Sequence, residues 1–172
     1  MVNRLILSGA FRPRQRVEDS HRVLHLAMPP VHRETEYALP VARASDALAG
    51  VRALIDDGGF RVNFIVELRF VKGDALPMSP AFGRDSCYIG GYIGAGADAE
   101  RYMSAVESMA MDMDGRPHWG KFFRQPSTAL QARYPQWDAF IEARQALDPE
   151  GRFLSPFVRR VLGLDTSETA LG

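Results

Sequence analysis

Phe60-Arg61-Val62-Asn63-Phe64-Ile65-Val66-Glu67-Leu68-Arg69-Phe70-Val71 is the clearest strand in the sequence. Side chains in an extended chain point alternately to opposite faces, so the stretch sorts into two sides. Phe60, Val62, Phe64, Val66, Leu68 and Phe70 form one side, purely apolar and suited to a core. Arg61, Asn63, Ile65, Glu67, Arg69 and Val71 form the other. Glu67 and Arg69 therefore project the same way from one rigid element. A carboxylate beside a guanidinium binds hydroxyls or holds an acid/base group in place. On the strand alone, a solvated i, i+2 ion pair is the commoner arrangement.

Toward the N-terminus, Gly58-Gly59 ends a helix in which Leu48, Val51, Leu54 and Ile55 recur at helical spacing, with Ser45 as its N-cap and Asp46 in its first turn. Glu34 to Pro40 reads as a short strand. His21 to Met28 alternates and predicts another, ended by Pro29-Pro30. Residues 1–18 form an Arg-rich arm or short strand, and 19–172 one domain.

Toward the C-terminus, Pro77, Pro80 and Gly83 mark a loop before a second strand, Ser86 to Ile93, with Gly90 and Gly91 at its middle. An amphipathic helix runs from Asp98 through Tyr102, Met103, Val106, Met109 and Met113 to Gly115. Residues 116–126 read as irregular. Ser127 caps a short helix that stops before Pro135, and Trp137 to Leu147 is another, closed by Asp148-Pro149-Glu150-Gly151. A last short helix covers Val158 to Leu162. Strands joined by hairpin-length loops and followed by helices predict an α+β fold: a largely antiparallel sheet with helices packed on one face.

Composition narrows the function. The chain has 172 residues, 46% hydrophobic and 24% charged, enough for one soluble core without disulfides. Its 21 basic and 21 acidic side chains cancel, which removes the electrostatic case for nucleic acid or an anionic membrane surface. Leu5-Ile6-Leu7 is too short for a signal core or a membrane span, and the single cysteine, Cys87, forms no intramolecular disulfide. A cytoplasmic setting is expected, with peripheral membrane association left open. Cys87 sits in an apolar strand as a small core residue.

The densest polar segment is Gly115-Arg116-Pro117-His118-Trp119-Gly120-Lys121, which gathers an imidazole, an indole and an ammonium in a loop between helices. It serves equally as a site or as a loop anchored by Trp119. Gly90 to Gly96 is not a dinucleotide fingerprint, because no strand-to-helix turn carries G-x-G-x-x-G with an acidic residue about 20 positions on. The glycines fit a bulge or the close approach of another group. His21, His25 and His32 have no Cys or carboxylate at ligand spacing, so no metal site is expected.

Several of these segments recur together in one order: Glu34 to Pro40, Val66 to Val71, Met78 to Ser86, Gly115 to Lys121 and Leu147 to Phe153. The ordered set resembles the C-terminal region of the D-arabinono-1,4-lactone oxidase family, over about residues 19–163. Its relatives include L-gulonolactone and L-galactonolactone oxidoreductases and alditol oxidases, within the vanillyl-alcohol-oxidase flavoprotein superfamily.

The resemblance implies the cap, or substrate, domain of an FAD-linked oxidoreductase acting on the CH–OH group of a sugar, sugar lactone or polyol. The FAD-binding domain is expected to be absent from this chain. FAD is then implied by the family but not expected to bind stably to this chain alone, and turnover awaits a flavin-binding domain as partner. Carried over from relatives, Glu67 and Arg69 contact substrate hydroxyls over the flavin ring and Lys121 lies near both. His118, Trp119, Asn63 and Tyr88 are the further substrate- or flavin-facing residues. Two departures blur the substrate. Alditol oxidases place a histidine where this chain has Tyr88-Ile89-Gly90-Gly91, and relatives often have Asn in the segment where this chain has Ser155. The alternative is a non-catalytic module that keeps the cap fold and binds a small ligand or self-associates as a homo-oligomer.

Overall fold

The structure is a computed structural model that describes residues 17–23, 31–62, 64–96 and 98–164. The chain divides into two compact units, 1–30 and 31–172. In the first, the described element is a one-turn helix, α1 (Ser20–Val23). Asp19 O accepts hydrogen bonds from the amides of Arg22 and Val23. This corrects the strand predicted to begin at His21, since a few residues of alternation do not separate the two periods. Residues 24–28 of that prediction lie outside the described residues.

The second unit is built on a four-stranded antiparallel sheet: β1 (His32–Pro40), β2 (Val66–Val71), β3 (Ser86–Gly94) and β4 (Arg116–Pro117), in the order β2-β3-β1-β4. The α+β fold is as predicted. β1 and β3 pair along their whole length, from His32 opposite Gly94 to Pro40 opposite Ser86. A single 3-10 turn (Val41–Arg43) leads from β1 into α2 (Ala44–Asp57). The later helices are α3 (Asp98–Asp112), α4 (Ser127–Gln131), α5 (Trp137–Leu147) and α6 (Pro156–Leu162). None of the described helices is long and apolar enough to cross a membrane.

One sheet face is the core. Tyr37 and Leu39 of β1 and Ile89 and Ile93 of β3 join Val51 of α2 with Tyr102, Met103 and Val106 of α3, all buried. The methionine stripe of α3 belongs here, with Met109 and Met113 packed at its margin. Cys87 is fully buried in β3, as expected. Gly91 faces this side, where a Cβ would lie 3.3 Å from the Tyr102 ring. The close approach predicted for the double glycine is thus real on the core side.

Local expectations need correction at several ends. The strand expected over 60–71 is regular only from Val66, which pairs with Gly91 of β3. Upstream, the Phe60 ring stacks edge-on against Tyr102 at 5.4 Å and Phe64 lies 5.0 Å from the His32 ring. Tertiary aromatic packing has overridden the alternation there. Phe70, assigned to the core side, is 64% exposed on the outer strand β2. Helix α2 starts one residue before Ser45 because the 3-10 turn feeds it directly, so Arg43 holds the N-cap position. Arg116–Pro117, read as irregular, forms the short β4 against β1. Pro126 rather than Ser127 precedes α4. Helix α6 begins at Pro156, two residues early, because Ser155 Oγ accepts from Val158 N at 3.3 Å, an N-cap with proline at the first helical position.

All five tyrosines titrate above the ordinary phenol range, chiefly because burial disfavours the phenolate. Tyr92 and Tyr134 are each pushed up to about 12. The folded state therefore keeps protons that the unfolded state releases, so stability falls as pH rises above the ordinary phenol value of about 10. In a spectrophotometric titration, phenolate absorbance should appear late and together with loss of structure. Five early, independent phenolates would contradict the packing described.

Candidate active site

The opposite sheet face is polar. The register puts Glu36, Gly90 and Glu67 in one row across β1, β3 and β2, and Ala38, Tyr88 and Arg69 in the next. Glu34 stands opposite Tyr92, and Arg116 of β4 opposite Ala38. Period-two alternation thus concentrates ionisable side chains on a rigid floor.

Arg69 and Glu67 do not chiefly hold each other. Their closest approach is 3.9 Å, whereas an Arg69 Nη bonds directly to Glu36 Oε1 on the far strand β1. The bond spans β3, the strand that lies between β2 and β1. That bond is the main cause of the raised pKa of Arg69. Glu36 is only 2% exposed, and its second oxygen has no hydrogen-bond partner among the described residues. Glu67 is held separately: Tyr92 donates its hydroxyl to Glu67 Oε2 at 2.7 Å. Burial, then this bond, raises the Tyr92 phenol to about 12.

The loop after β4 runs beside β1. His118 N donates to Glu36 O and Phe122 N to Glu34 O, each at 2.9 Å. Thr35 Oγ1 donates to Phe122 O at 2.8 Å. So fixed, the loop brings Lys121 into an ion pair with Glu34, and Lys121 Nζ lies 6.0 Å from the Tyr92 ring centre. Gly120 N donates to His118 Nδ1 at 3.0 Å, which leaves Nε2 to carry the proton of a neutral imidazole. Trp119 packs edge-on against Tyr134, Trp137 and Phe140, with ring centres 6.0 to 6.5 Å apart, so it anchors the loop as well as walling the site.

Arg69, Tyr88, His118 and Trp119 line one cleft of about 560 Å³, with Phe70, Val71, Met78, Pro80 and Gly120. Four residues singled out in the sequence therefore meet. Glu67 and Lys121 lie farther along the same polar face, joined to Tyr92 and Glu34 rather than lining this cleft. Asn63 lies outside the described residues. Sequence reasoning missed Glu34, Glu36 and Tyr92 as parts of the site. The signal was present, since Glu34 and Glu36 are two apart in a strand, with apolar or small partners between and after them.

The floor carries three carboxylates (Glu34, Glu36, Glu67) and three cations (Arg69, Lys121 and, opposite Ala38, Arg116). Its carboxylates are tied, its donors are held in place, and no excess of positive charge waits for an anion. Such an arrangement suits a neutral, hydroxyl-rich ligand better than a phosphate. Among the described residues no three His, Cys, Asp or Glu side chains gather as metal ligands.

The chain is similar to known proteins over most of its length. The chain is 44% identical over 130 residues to L-gulono-1,4-lactone dehydrogenase of Mycobacterium tuberculosis, covering 76% of this chain and 30% of that protein. It is 34% identical to L-gulonolactone oxidase of Bos taurus, over 73% of this chain and 30% of the relative. It is 36% identical to alditol oxidase of a Streptomyces species, over 75% and 31%. The chain thus spans about three-tenths of the length of these relatives. The family profile described as D-arabinono-1,4-lactone oxidase matches residues 1–161. With nearly the whole chain matched and the strand and loop motifs gathered on one polar sheet face, the chain belongs to the D-arabinono-1,4-lactone oxidase family.

Proposed function

We propose that the polar sheet face is the substrate-side half of the active site of an FAD-dependent oxidoreductase that oxidises the CH–OH group of a sugar lactone or related polyol. One observation carries this reading: Glu67 and Arg69 share a rigid face, and each is fixed by a different neighbour, Tyr92 and Glu36. Held that way, both keep hydrogen-bonding capacity for a ligand.

The described residues fit one end of a flavin dinucleotide. The polar face offers Arg69 and Lys121, and the Tyr88 and Trp119 rings line the adjoining cleft, a setting suited to a flat heteroaromatic ring and its substrate. A pyrophosphate cradle is not found among them, since the space above Gly90 and Gly91 is taken by the Tyr92 and Tyr102 rings. The chain is accordingly the substrate half, with the rest of the cofactor held by a flavin-binding partner domain. A bound flavin supplies one thing here, acceptance of the hydride from the substrate carbon.

The chain's own residues supply the remainder. Arg69 donates to the substrate oxygen and stabilises negative charge developing on it. Glu67 accepts the hydroxyl proton or orients it, and its bond from Tyr92 keeps the carboxylate aimed. Lys121, tied to Glu34, keeps a positive charge over the same face. His118 has an Nε2–H to direct into the cleft.

The test is reconstitution. The purified chain alone should carry no flavin spectrum. Mixed with the flavin domain of a relative, it should restore lactone oxidation, and Glu67→Gln and Lys121→Ala should each lower that rate roughly 10- to 100-fold. Full activity in either variant removes that residue from the site.

A further inference from the structure

Gly90 lies at the centre of the polar face, opposite Glu36 on one side and Glu67 on the other. A Cβ at this position would sit 3.0 Å from the Tyr92 ring and 3.6 Å from its hydroxyl. The ring is therefore laid across the place where a side chain would stand. Its hydroxyl end is pinned to Glu67 at 2.7 Å, and the His32 ring centre lies 6.2 Å away. Tyr92 is only partly buried. Beside Tyr88 in the next row, Tyr92 thus gives this charged face a fixed flat ring at its middle, with Lys121 Nζ 6.0 Å from the ring centre.

We propose that Tyr92 is a specificity-determining residue: its ring is a platform for the C–H face of a cyclic neutral sugar, which it selects over an open-chain polyol. The proposal rests on reading this face as a sugar half-site. An aromatic ring carries negative potential on its faces and attracts the weakly positive C–H groups of a sugar ring. A ring laid there holds its hydroxyls around the rim, toward Glu67 and Arg69. An open-chain polyol presents no such face and must freeze several rotors to reach the same donors. The glycine contributes to the device, since a Cβ at position 90 would press on the ring at 3.0 Å.

Binding to the full 172-residue chain, read by saturation-transfer NMR with L-gulono-1,4-lactone and with sorbitol, tests this without need of turnover. Wild type should bind the lactone about tenfold more tightly than sorbitol. Tyr92→Phe keeps the platform and drops the hydroxyl, so the ratio should hold while both affinities fall about threefold. Tyr92→Leu keeps the bulk without an aromatic face, so the ratio should collapse toward one in a chain that still packs. A ratio unchanged in Tyr92→Leu overturns the platform and leaves the half-site reading standing. If wild type binds neither ligand, the half-site reading fails and the platform fails with it.

Discussion

Replacing Arg69 with methionine is expected to cost about 2–3 kcal/mol of folding stability, a large effect for a side chain that is itself 49% exposed. The reason lies in its partner. Glu36 is 2% exposed, and one of its oxygens already lacks a hydrogen-bond partner among the described residues. Without Arg69 it becomes a buried charge with no counter-charge, and desolvation of a carboxylate is then uncompensated. Fully enclosed pairs broken this way lose about 3–5 kcal/mol; the exposure of Arg69 lets water reach the gap and lowers the figure. The double variant Glu36→Leu with Arg69→Met removes both charges and should regain most of the loss. Urea unfolding of the two single variants and the double one measures the coupling. Additive losses would mean the pair is incidental.

The same double variant separates stability from chemistry. It should fold, yet in the reconstituted enzyme it should remain about 10³-fold slow, because no guanidinium is left to stabilise charge on the substrate oxygen. A double variant that recovered both properties would make Arg69 a structural residue only. On the proposed reading both roles fall on Arg69, which sits on the outer strand β2. Its buried counter-charge, Glu36, lies beyond β3 on β1.

How much of this was legible in the sequence follows from the range of each interaction. Period-two alternation identified β2 and its polar side, and the segment His118 to Lys121 was recognised as dense in functional groups. Those signals are local. What alternation does not encode is which strand lies two places away, so Glu36 was invisible as the partner of Arg69 until the order β2-β3-β1 was known. The double glycine was read as a bulge or a close approach; the pairing runs unbroken through it, and the approaching rings come from Tyr92 on the same strand and Tyr102 on α3. Strand length was overread for a related reason. Phe60 and Phe64 alternate correctly, yet each finds an aromatic partner, Tyr102 and His32, outside the sheet pairing. Ser155 was noted only as a departure from relatives, although its position before Pro156 is a local N-cap signal that was readable.

Arg116→Ala is expected to be the most destabilising single change, at about 3–5 kcal/mol. Arg116 is 7% exposed and pairs with no carboxylate in the described structure; its guanidinium is spent on backbone. Nε donates to Arg133 O at 2.8 Å, and one Nη donates to Pro80 O at 3.1 Å and Phe82 O at 2.8 Å. Its carbon lies 5.8 Å from the Tyr134 ring centre. One planar group therefore joins the Ser-Pro loop, the residues after α4 and strand β4, three segments with no ladder between them. Burial, then the nearby charge of Arg84, lowers its pKa, which marks an environment that does not welcome the charge and tolerates it for these bonds. Truncation leaves a void and three carbonyls short of a donor. Lysine restores the charge but not the fork, so Arg116→Lys should recover less than half of the loss. Pro80 and Trp119 line the cleft on either side of this joint, so ligand affinity should fall along with the urea midpoint. If affinity holds while stability drops, the cleft is shaped by the Trp119 aromatic cluster alone, and Arg116 belongs to the scaffold rather than to the architecture of the site.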